Sequence, residues 1–514
     1  MNVVERNIEV ANKEVILQKN FDTPADLQMD FSLVKLQGTN CDTYVFNHTN
    51  MRIDLEPGQL FCEGIVLQHP LLGVTESAFC AITGVEDDGI EREIKCNHFP
   101  EAKGKLVELL KKYRKVIALS GEKLGGTNVS EHKILLEPDA KPFFIPNYRL
   151  PISRREVIEE MVKEMKADGI VRDSKSPYNS PLLLVPKKDN TWRLVVDFRK
   201  LNQQTIPDRF PMPVINDVLA QLGGAKIFTS LDLLSGYWQI PLAEESKHLT
   251  AFSTHQAHLE FNCMPFGLMA APLTFSRVML QVLGHIKNVY IYLDDIIIFS
   301  EDLESHLKTL GEVLECFERA GLKIKFGKCQ FLQKELDYLG HKINEHGIMM
   351  QGGKIKAMLE YPAPNNIKAL RRFLGMIGYY RPFIQNFSTI AHPLTELLKK
   401  ENNFYWGKEE EEAFMKLKNC LTKEPILVYP DFKQEFFLAT DASSTGLGAV
   451  LMQKRKGRMR VISYASRVMN DTEKRYSTTE RECSALYWGL RKYKHVILGY
   501  TKHPHRSHTS FRFV

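Results

Sequence analysis

The chain has no C-x-x-C pair and no Cys/His array at zinc-ligand spacing: its nine cysteines (Cys41, Cys62, Cys80, Cys96, Cys263, Cys316, Cys329, Cys420, Cys483) are scattered. This pattern argues against a zinc-finger organisation and offers no disulfide framework, so the cysteines read as free thiols of a reducing compartment. The opening run Met1-Asn2-Val3-Val4-Glu5-Arg6-Asn7 lacks the apolar core of a secretory signal, and no apolar run approaches the ~18 residues of a bilayer span. An intracellular, soluble protein is expected, cytoplasmic or nuclear, without a membrane partner. Strong charge of one sign is also missing. A net charge of +6 over 514 residues suits a local nucleic-acid groove better than a histone-like coat, and alone does not establish either. Residues 1–97 contain no Asp-Ser/Thr-Gly triplet, because Asp22-Thr23-Pro24 and Asp42-Thr43-Tyr44 both lack the glycine, so no aspartic-protease activity is assigned there. Asp471 is the last aspartate, and the basic, His-rich text after Gly499-Tyr500 has neither Asp nor Glu.

What is present begins with a costly local arrangement. Asp294 and Asp295 are adjacent carboxylates inside the apolar run Val289-Tyr290-Ile291-Tyr292-Leu293 and Ile296-Ile297-Ile298-Phe299. β-branched and aromatic residues on both sides predict a hairpin with the two aspartates at its tip. Burying ionised carboxylates without partners costs several kcal/mol or shifts their pKa, so a bound cation would account for them. Oxygen-only donors favour Mg²⁺ over zinc. An Asp-Asp turn facing water is the alternative for this hairpin taken alone. Upstream, Phe228-Thr229-Ser230-Leu231-Asp232 reads as a short strand ending in a third carboxylate. It is followed by Ser235-Gly236, whose backbone N–H groups could face a phosphate, and by the aromatic Tyr237. Three carboxylates from two adjacent strands could hold two metal ions for in-line phosphoryl transfer.

Length and composition predict several globular domains: 44% of residues are apolar and 25% charged. Residues 1–97 alternate apolar and polar residues in short runs and predict a small β-rich module. A helical pattern follows over 98–119 through Leu106, Leu109, Leu110 and Tyr113. Ser153 and Glu156 form a capping-box signature for a helix with Val157, Ile158, Met161, Val162 and Met165 on one face, stopped by Gly169. Further on, Leu370, Phe373, Leu374, Ile377 and Tyr380 form an apolar stripe read as core. Arg371, Arg372 and Arg381 face either a nucleic-acid backbone or solvent.

The box Tyr292-Leu293-Asp294-Asp295 resembles that of reverse transcriptases, and its surroundings resemble gypsy-type LTR retrotransposons and their retroviral relatives. The resemblance is carried in order by Tyr148-Arg149-Leu150-Pro151, the run Ser180 to Lys188, the run Trp192 to Asn202, Phe261 to Leu268, Tyr338-Leu339-Gly340-His341 and Phe373 to Arg381, and it covers about residues 130–500. It implies an α+β right-hand polymerase of fingers, palm and thumb, preceded by the β-rich module and followed by a truncated RNase H-like α/β domain. The implied partition is 1–97, a connector 98–145, fingers and palm 146–345, thumb and connection 346–425, and a partial RNase H-like domain 426–514. Asp232, Asp294 and Asp295 become catalytic metal ligands for two Mg²⁺ ions, with Mn²⁺ as the alternative ion. Lys187 and Arg193 would grip the incoming triphosphate, with Ser235, Gly236, Tyr237 and Phe266 around the nucleotide. Tyr237 would act as a steric gate against the 2′-hydroxyl, and Phe266 stands where retroviral enzymes carry glutamine. Tyr338, Leu339, Gly340 and His341 resemble the turn that touches the primer terminus. Asp441 and Glu482 resemble the first two RNase H ligands, with no third acidic ligand after the helix containing Glu482. The implied partners are an RNA or DNA template with its primer and dNTPs, with oligomeric state open. The competing reading is a degenerate or domesticated nucleic-acid-binding protein that keeps the fold without catalysis.

Overall fold

The alternating runs near the N-terminus do form strands. The computed structural model describes residues 14–19, 27–28, 32–35, 46–47, 62–66, 90, 94, 98–119, 122, 124–149, 151–186, 191–211, 214–399, 404–422, 426–498 and 512–513. Contacts divide the chain into two units, Met1–Asp88 and Gly89–Val514. In the first, Glu14–Lys19 lies between Ser32–Lys35 and Cys62–Val66 in an antiparallel three-stranded sheet.

The second unit contains the helix expected from residue 153, here α1 (Ile152–Ala167). It starts two residues earlier than the capping signature suggests: Pro151 is the N-cap and no side chain caps the end, so Ser153 is inside the first turn. Proline just before a helix presets φ and loses no useful N–H, which explains the shift. Ile158, Val162 and Met165 are buried as the periodicity requires, and Gly169 takes a left-handed φ of 72° beyond the end. A two-stranded ribbon follows, β1 (Leu182–Pro186) with β2 (Trp192–Val196), paired antiparallel.

The central sheet is built from β3 (Ile227–Asp232), β4 (Val289–Tyr292), β5 (Asp295–Ser300) and β6 (Gln330–Gln333), in the order β4-β5-β3-β6. Helices α2 (Ala271–Leu283) and α3 (Leu303–Ala320) accompany it. Ile296 and Ile298 of β5 share a core with Phe275, Val278, Leu314 and Phe317 of these helices. Ile297 and Phe299 point the other way, into a cluster with Phe228, Leu336, Tyr338 and Ile343. Burial on both faces explains why this strand reads as an unbroken apolar run. Asp302 caps α3 by accepting from the backbone N–H of Ser305 at 2.9 Å, and Gly321 closes it at φ 67°.

Three strands, β7 (Glu335–Tyr338), β8 (His341–Asn344) and β9 (Gly347–Met350), form an antiparallel meander behind the central sheet. The helical segment follows: α4 (Gly352–Leu359), α5 (Ile367–Gly378), α6 (Phe387–Ile390) and α7 (Lys408–Leu421). The stripe Leu370, Phe373, Ile377 and Tyr380 is buried, as expected of core residues. Arg371 and Arg372 are exposed. Arg381 is exposed as well, but its guanidinium is already engaged: it donates to Ser388 Oγ and to the Ser466 carbonyl, the latter at 3.1 Å, and stacks over Phe387.

Ser466 belongs to the last sheet, β10 (Phe436–Ala442), β11 (Gly446–Arg455) and β12 (Arg458–Val468), with Arg512–Phe513 parallel to β10 and α8 (Thr478–Ile497) on one face. Ser388 of α6 donates its N–H to Ser466 Oγ at 2.9 Å on the opposite face. A Cβ on Gly448 would stand 2.9 Å from Asn386 Oδ1, so glycine permits the close approach of that segment.

Among the described residues three histidines are buried: His132, His306 and His341. His306 bridges Thr229 Oγ1 at 2.8 Å and Ser300 Oγ at 2.6 Å, which ties α3 to β3 and β5. Burial lowers all three from the usual 6.5 to about 4. They are neutral in the fold and protonate in the unfolded chain, so their contribution is complete above about pH 6.5 and is lost as pH falls towards 4. The urea midpoint is expected to fall between pH 7.5 and 5, beginning above the carboxylate range and totalling at least about 2 kcal/mol. A flat midpoint over that window would contradict the assignment.

Candidate active site

The register of the central sheet places Asp232 directly opposite Asp295. Tyr292 pairs with Asp295, leaving Leu293-Asp294 as a two-residue turn. Leu293 adopts φ 54°, a conformation that a branched residue takes only when its surroundings impose it. Thus β3 and the β4–β5 hairpin deliver three carboxylates to one end of the sheet, and like charges directly across a ladder oppose folding. Partial desolvation, followed by the charges of Asp294 and Asp232, holds Asp295 above the usual carboxylate range. The nearest compensation is Lys328, whose Nζ lies 3.4 Å from Asp232 Oδ2.

This donor set fits a hard divalent cation: all donors are oxygen, and Asp295 is raised by desolvation and then by its like-charged neighbours. The side chains do not converge on one point, and among the described residues no three acidic, His or Cys groups do.

Beyond Asp232 the chain turns through Ser235, which is left-handed at φ 47°. A Cβ on Gly236 would stand 2.9 Å from Phe275 Cε2, so only glycine lets this turn lie on α2. Tyr237 is half-buried, with its ring 5.0 Å from Phe266 and 5.3 Å from Phe275. Burial, then the charge of Asp294, raises its phenol pKa, which ties Tyr237 electrostatically to the acidic hairpin. Phe266 is 48% exposed and also meets Trp238 edge-on. Ser235, Gly236, Tyr237 and Phe266 are therefore brought together beside the carboxylates.

Arg193 stands apart on the β1–β2 ribbon, exposed and without an ion-pair partner among the described residues. Lys187 lies outside the described residues. The expected primer turn divides. Leu339 and Gly340 form its partly exposed tip, whereas Tyr338 and His341 are only 3% and 5% exposed. Their side chains belong to the core and support the turn, which corrects the expectation that all four offer contacts.

Three residues to which the sequence assigns no role shape this site. Gln239 is fully buried: its Nε2 donates to the carbonyls of Leu234 (2.8 Å) and Lys323 (2.9 Å), while its Oε1 accepts from the Lys323 N–H at 2.7 Å. It staples the turn after Asp232 to the strand following α3. Asn202 clamps the Phe266 loop by donating to the Gly267 carbonyl and accepting from the Met269 N–H, both at 2.9 Å. Lys328 is the third. No local pattern marks these residues, because their partners are distant in sequence.

In the last sheet, cross-strand pairing puts Asp441 with Gly448 and Ser466 on the α6 face. Leu438, Thr440 and Ala449 face Gly489 of α8, the helix that carries Glu482. Asp441 and α8 therefore lie on opposite faces, and both Asp441 and Glu482 are exposed.

A model of the reverse transcriptase (RNA-dependent DNA polymerase) family matches residues 185–343, and one of the RNase H-like domain found in reverse transcriptase matches 406–504. The chain is 44% identical over 403 residues to the retrovirus-related Pol polyprotein from transposon 297 of Drosophila melanogaster, covering 77% of this chain and 38% of that protein. It is 40% identical over 381 residues to that of transposon gypsy from the same organism (70% and 36% covered) and 35% identical over 356 residues to the Tf2-3 polyprotein of Schizosaccharomyces pombe (69% and 27%). It thus spans well under half the length of these relatives. A foamy viral protease–reverse transcriptase in complex with dsDNA superposes with a TM-score of 0.74 at 23% identity, over 83% of this chain and 97% of the other. A complex with an RNA/DNA hybrid gives 0.69 at 25% identity over 80% and 56%. Two matched domains in sequence order, extended similarity to transposon polyproteins and the same fold place the chain together: it belongs to the reverse transcriptases of LTR-retrotransposon Pol polyproteins.

Proposed function

We propose that this chain is an RNA-directed DNA polymerase that adds dNTPs to a primer 3′-end on an RNA or DNA template. The observation that carries this reading is the register of Asp232 against Asp295 with Asp294 at the adjoining turn. Asp232, Asp294 and Asp295 would hold Mg²⁺, with Mn²⁺ as a substitute. When bound, the metal supplies charge stabilisation for the attacking and leaving oxygens of an in-line displacement. Tyr237 and Phe266 form an aromatic floor beside the carboxylates for the nucleotide, and the Ser235-Gly236 turn presents backbone next to it. Arg193 on the ribbon would meet the triphosphate, where a guanidinium suits bidentate phosphate contacts, and Lys187 is assigned the same role by the family resemblance alone. The partition into fingers and palm (146–345), thumb and connection (346–425) and RNase H-like domain (426–514) belongs to the same reading, with 98–145 as connector. Metal-dependent dNTP incorporation on poly(rA)/oligo(dT) by the purified chain is the test, and a chain that binds the duplex without incorporating would favour the degenerate reading.

RNA/DNA hybrid cleavage by this 514-residue chain is expected to be weak or absent. No Asp or Glu follows Glu482 in the 514 residues to serve as the third ligand, and two carboxylates hold two metal ions poorly. Metal-dependent cleavage of a labelled hybrid that disappears in Asp441→Asn would overturn this.

No helix among the described residues is long and apolar enough to cross a membrane.

A further inference from the structure

The turn between β7 and β8 is held in an unusual way. Tyr338 pairs with His341, so Leu339-Gly340 is a two-residue loop, with φ 46° and 76°. Two left-handed residues in succession suit a tight hairpin, but leucine at the first position is strained. Both tip carbonyls are occupied by phenols from the end of α5: Tyr379 donates to the Leu339 carbonyl, and Tyr380 donates to the Gly340 carbonyl at 2.6 Å. The His341 ring lies stacked between Tyr379 (5.0 Å, 20°) and Phe383 (5.6 Å, 22°), with Tyr380 edge-on at 5.6 Å. A Cβ on Gly340 would stand 2.3 Å from Lys354 Nζ and 3.4 Å from Tyr379 Cε1, so α4 and α5 both close over the turn. On its other side the hairpin packs through Leu336, Tyr338 and Ile343 against Phe228, Ile297 and Phe299, within the strands that carry the catalytic aspartates.

We infer that Tyr379 and Tyr380 are positioning residues that latch the primer-side turn to the thumb helix, so that turn and thumb bear on the primer–template as one body. This rests on the proposed polymerase function. The chemistry isolates the role of the hydroxyls: a phenylalanine would stack on His341 as a tyrosine does, and only the two carbonyls require a phenol. Without them, the strained turn is released while the thumb core, built on Leu370, Phe373 and Ile377, remains intact.

The experiment compares Tyr379→Phe, Tyr380→Phe and the double variant with the full chain. The double variant is expected to speed amide exchange of residues 338–341 and dissociation of a fluorescent primer–template duplex, each about tenfold, as befits two hydrogen bonds. The KM for dNTP should stay within about twofold, because Tyr237 and Phe266 stand on other elements, and the melting temperature should change little. Unchanged exchange and dissociation in the double variant would overturn the latch, as would a uniform loss that includes dNTP KM and melting temperature. Should the unmodified chain fail to incorporate dNTPs, the polymerase reading falls, while amide exchange still decides whether the hydroxyls hold the turn.

Discussion

Asp232→Asn or Asp294→Asn is expected to reduce nucleotide incorporation at least ~10³-fold, equivalent to about 4 kcal/mol of transition-state stabilisation. The loss should come from metal binding and chemistry and not from unfolding. Asp232 faces Asp295 across the ladder, and the pair opposes folding in the metal-free chain, so neutralising one carboxylate relieves repulsion. Melting temperature without metal should therefore hold or rise in these variants, while Mn²⁺ binding, measured by electron paramagnetic resonance, weakens. Near-normal polymerisation by either variant would remove these aspartates from the catalytic site.

The second large effect concerns sugar selectivity. Replacing Tyr237 with Val is expected to raise ribonucleotide incorporation relative to deoxynucleotide by roughly 10²-fold, because the pocket loses the ring that would meet a 2′-hydroxyl. The ring rests on Phe275 and Phe266 at 5.3 and 5.0 Å, and both remain in the variant, so the floor of the pocket survives. Single-nucleotide insertion with matched rNTP and dNTP pairs measures the ratio. An unchanged ratio would return Tyr237 to the role of a packing residue between α2 and the Phe266 loop.

Much of the site is legible in the amino-acid sequence because it is written locally. The hairpin around Asp294 and Asp295 shows itself in a run of strand-forming residues broken by two carboxylates, and Asp232 ends another such run. The apolar stripe of α5 follows from its helical period and is buried as that period requires. Other expectations fail where a local signal has two physical solutions. Ser153 and Glu156 have capping-box spacing, but Pro151 ends the extended segment first and the helix begins with Ile152. Arg381 stays exposed as a surface cation, yet the oxygens of Ser388 and Ser466 engage its guanidinium. Tyr338 and His341 sit in a motif expected to touch the primer, but the stacking of Tyr379 and Phe383 on His341 commits that side chain to the core.

The sequence by itself determined which residue types reach each strand end and turn: carboxylates at Asp232, Asp294 and Asp295, a glycine at Gly236 and an aromatic ring at Tyr237. These follow from short-range periodicity and backbone preference, which act over a few residues and leave a readable pattern. Only the tertiary structure decided that Asp232 faces Asp295, that Lys328 lies against Asp232, and that Gln239 joins the Leu234 turn to Lys323. It alone also placed Asp441 and the helix of Glu482 on opposite faces of their sheet. Pairing register and buried hydrogen bonds join residues tens of positions apart, and the energy that selects them comes from closing the whole core rather than from any one segment.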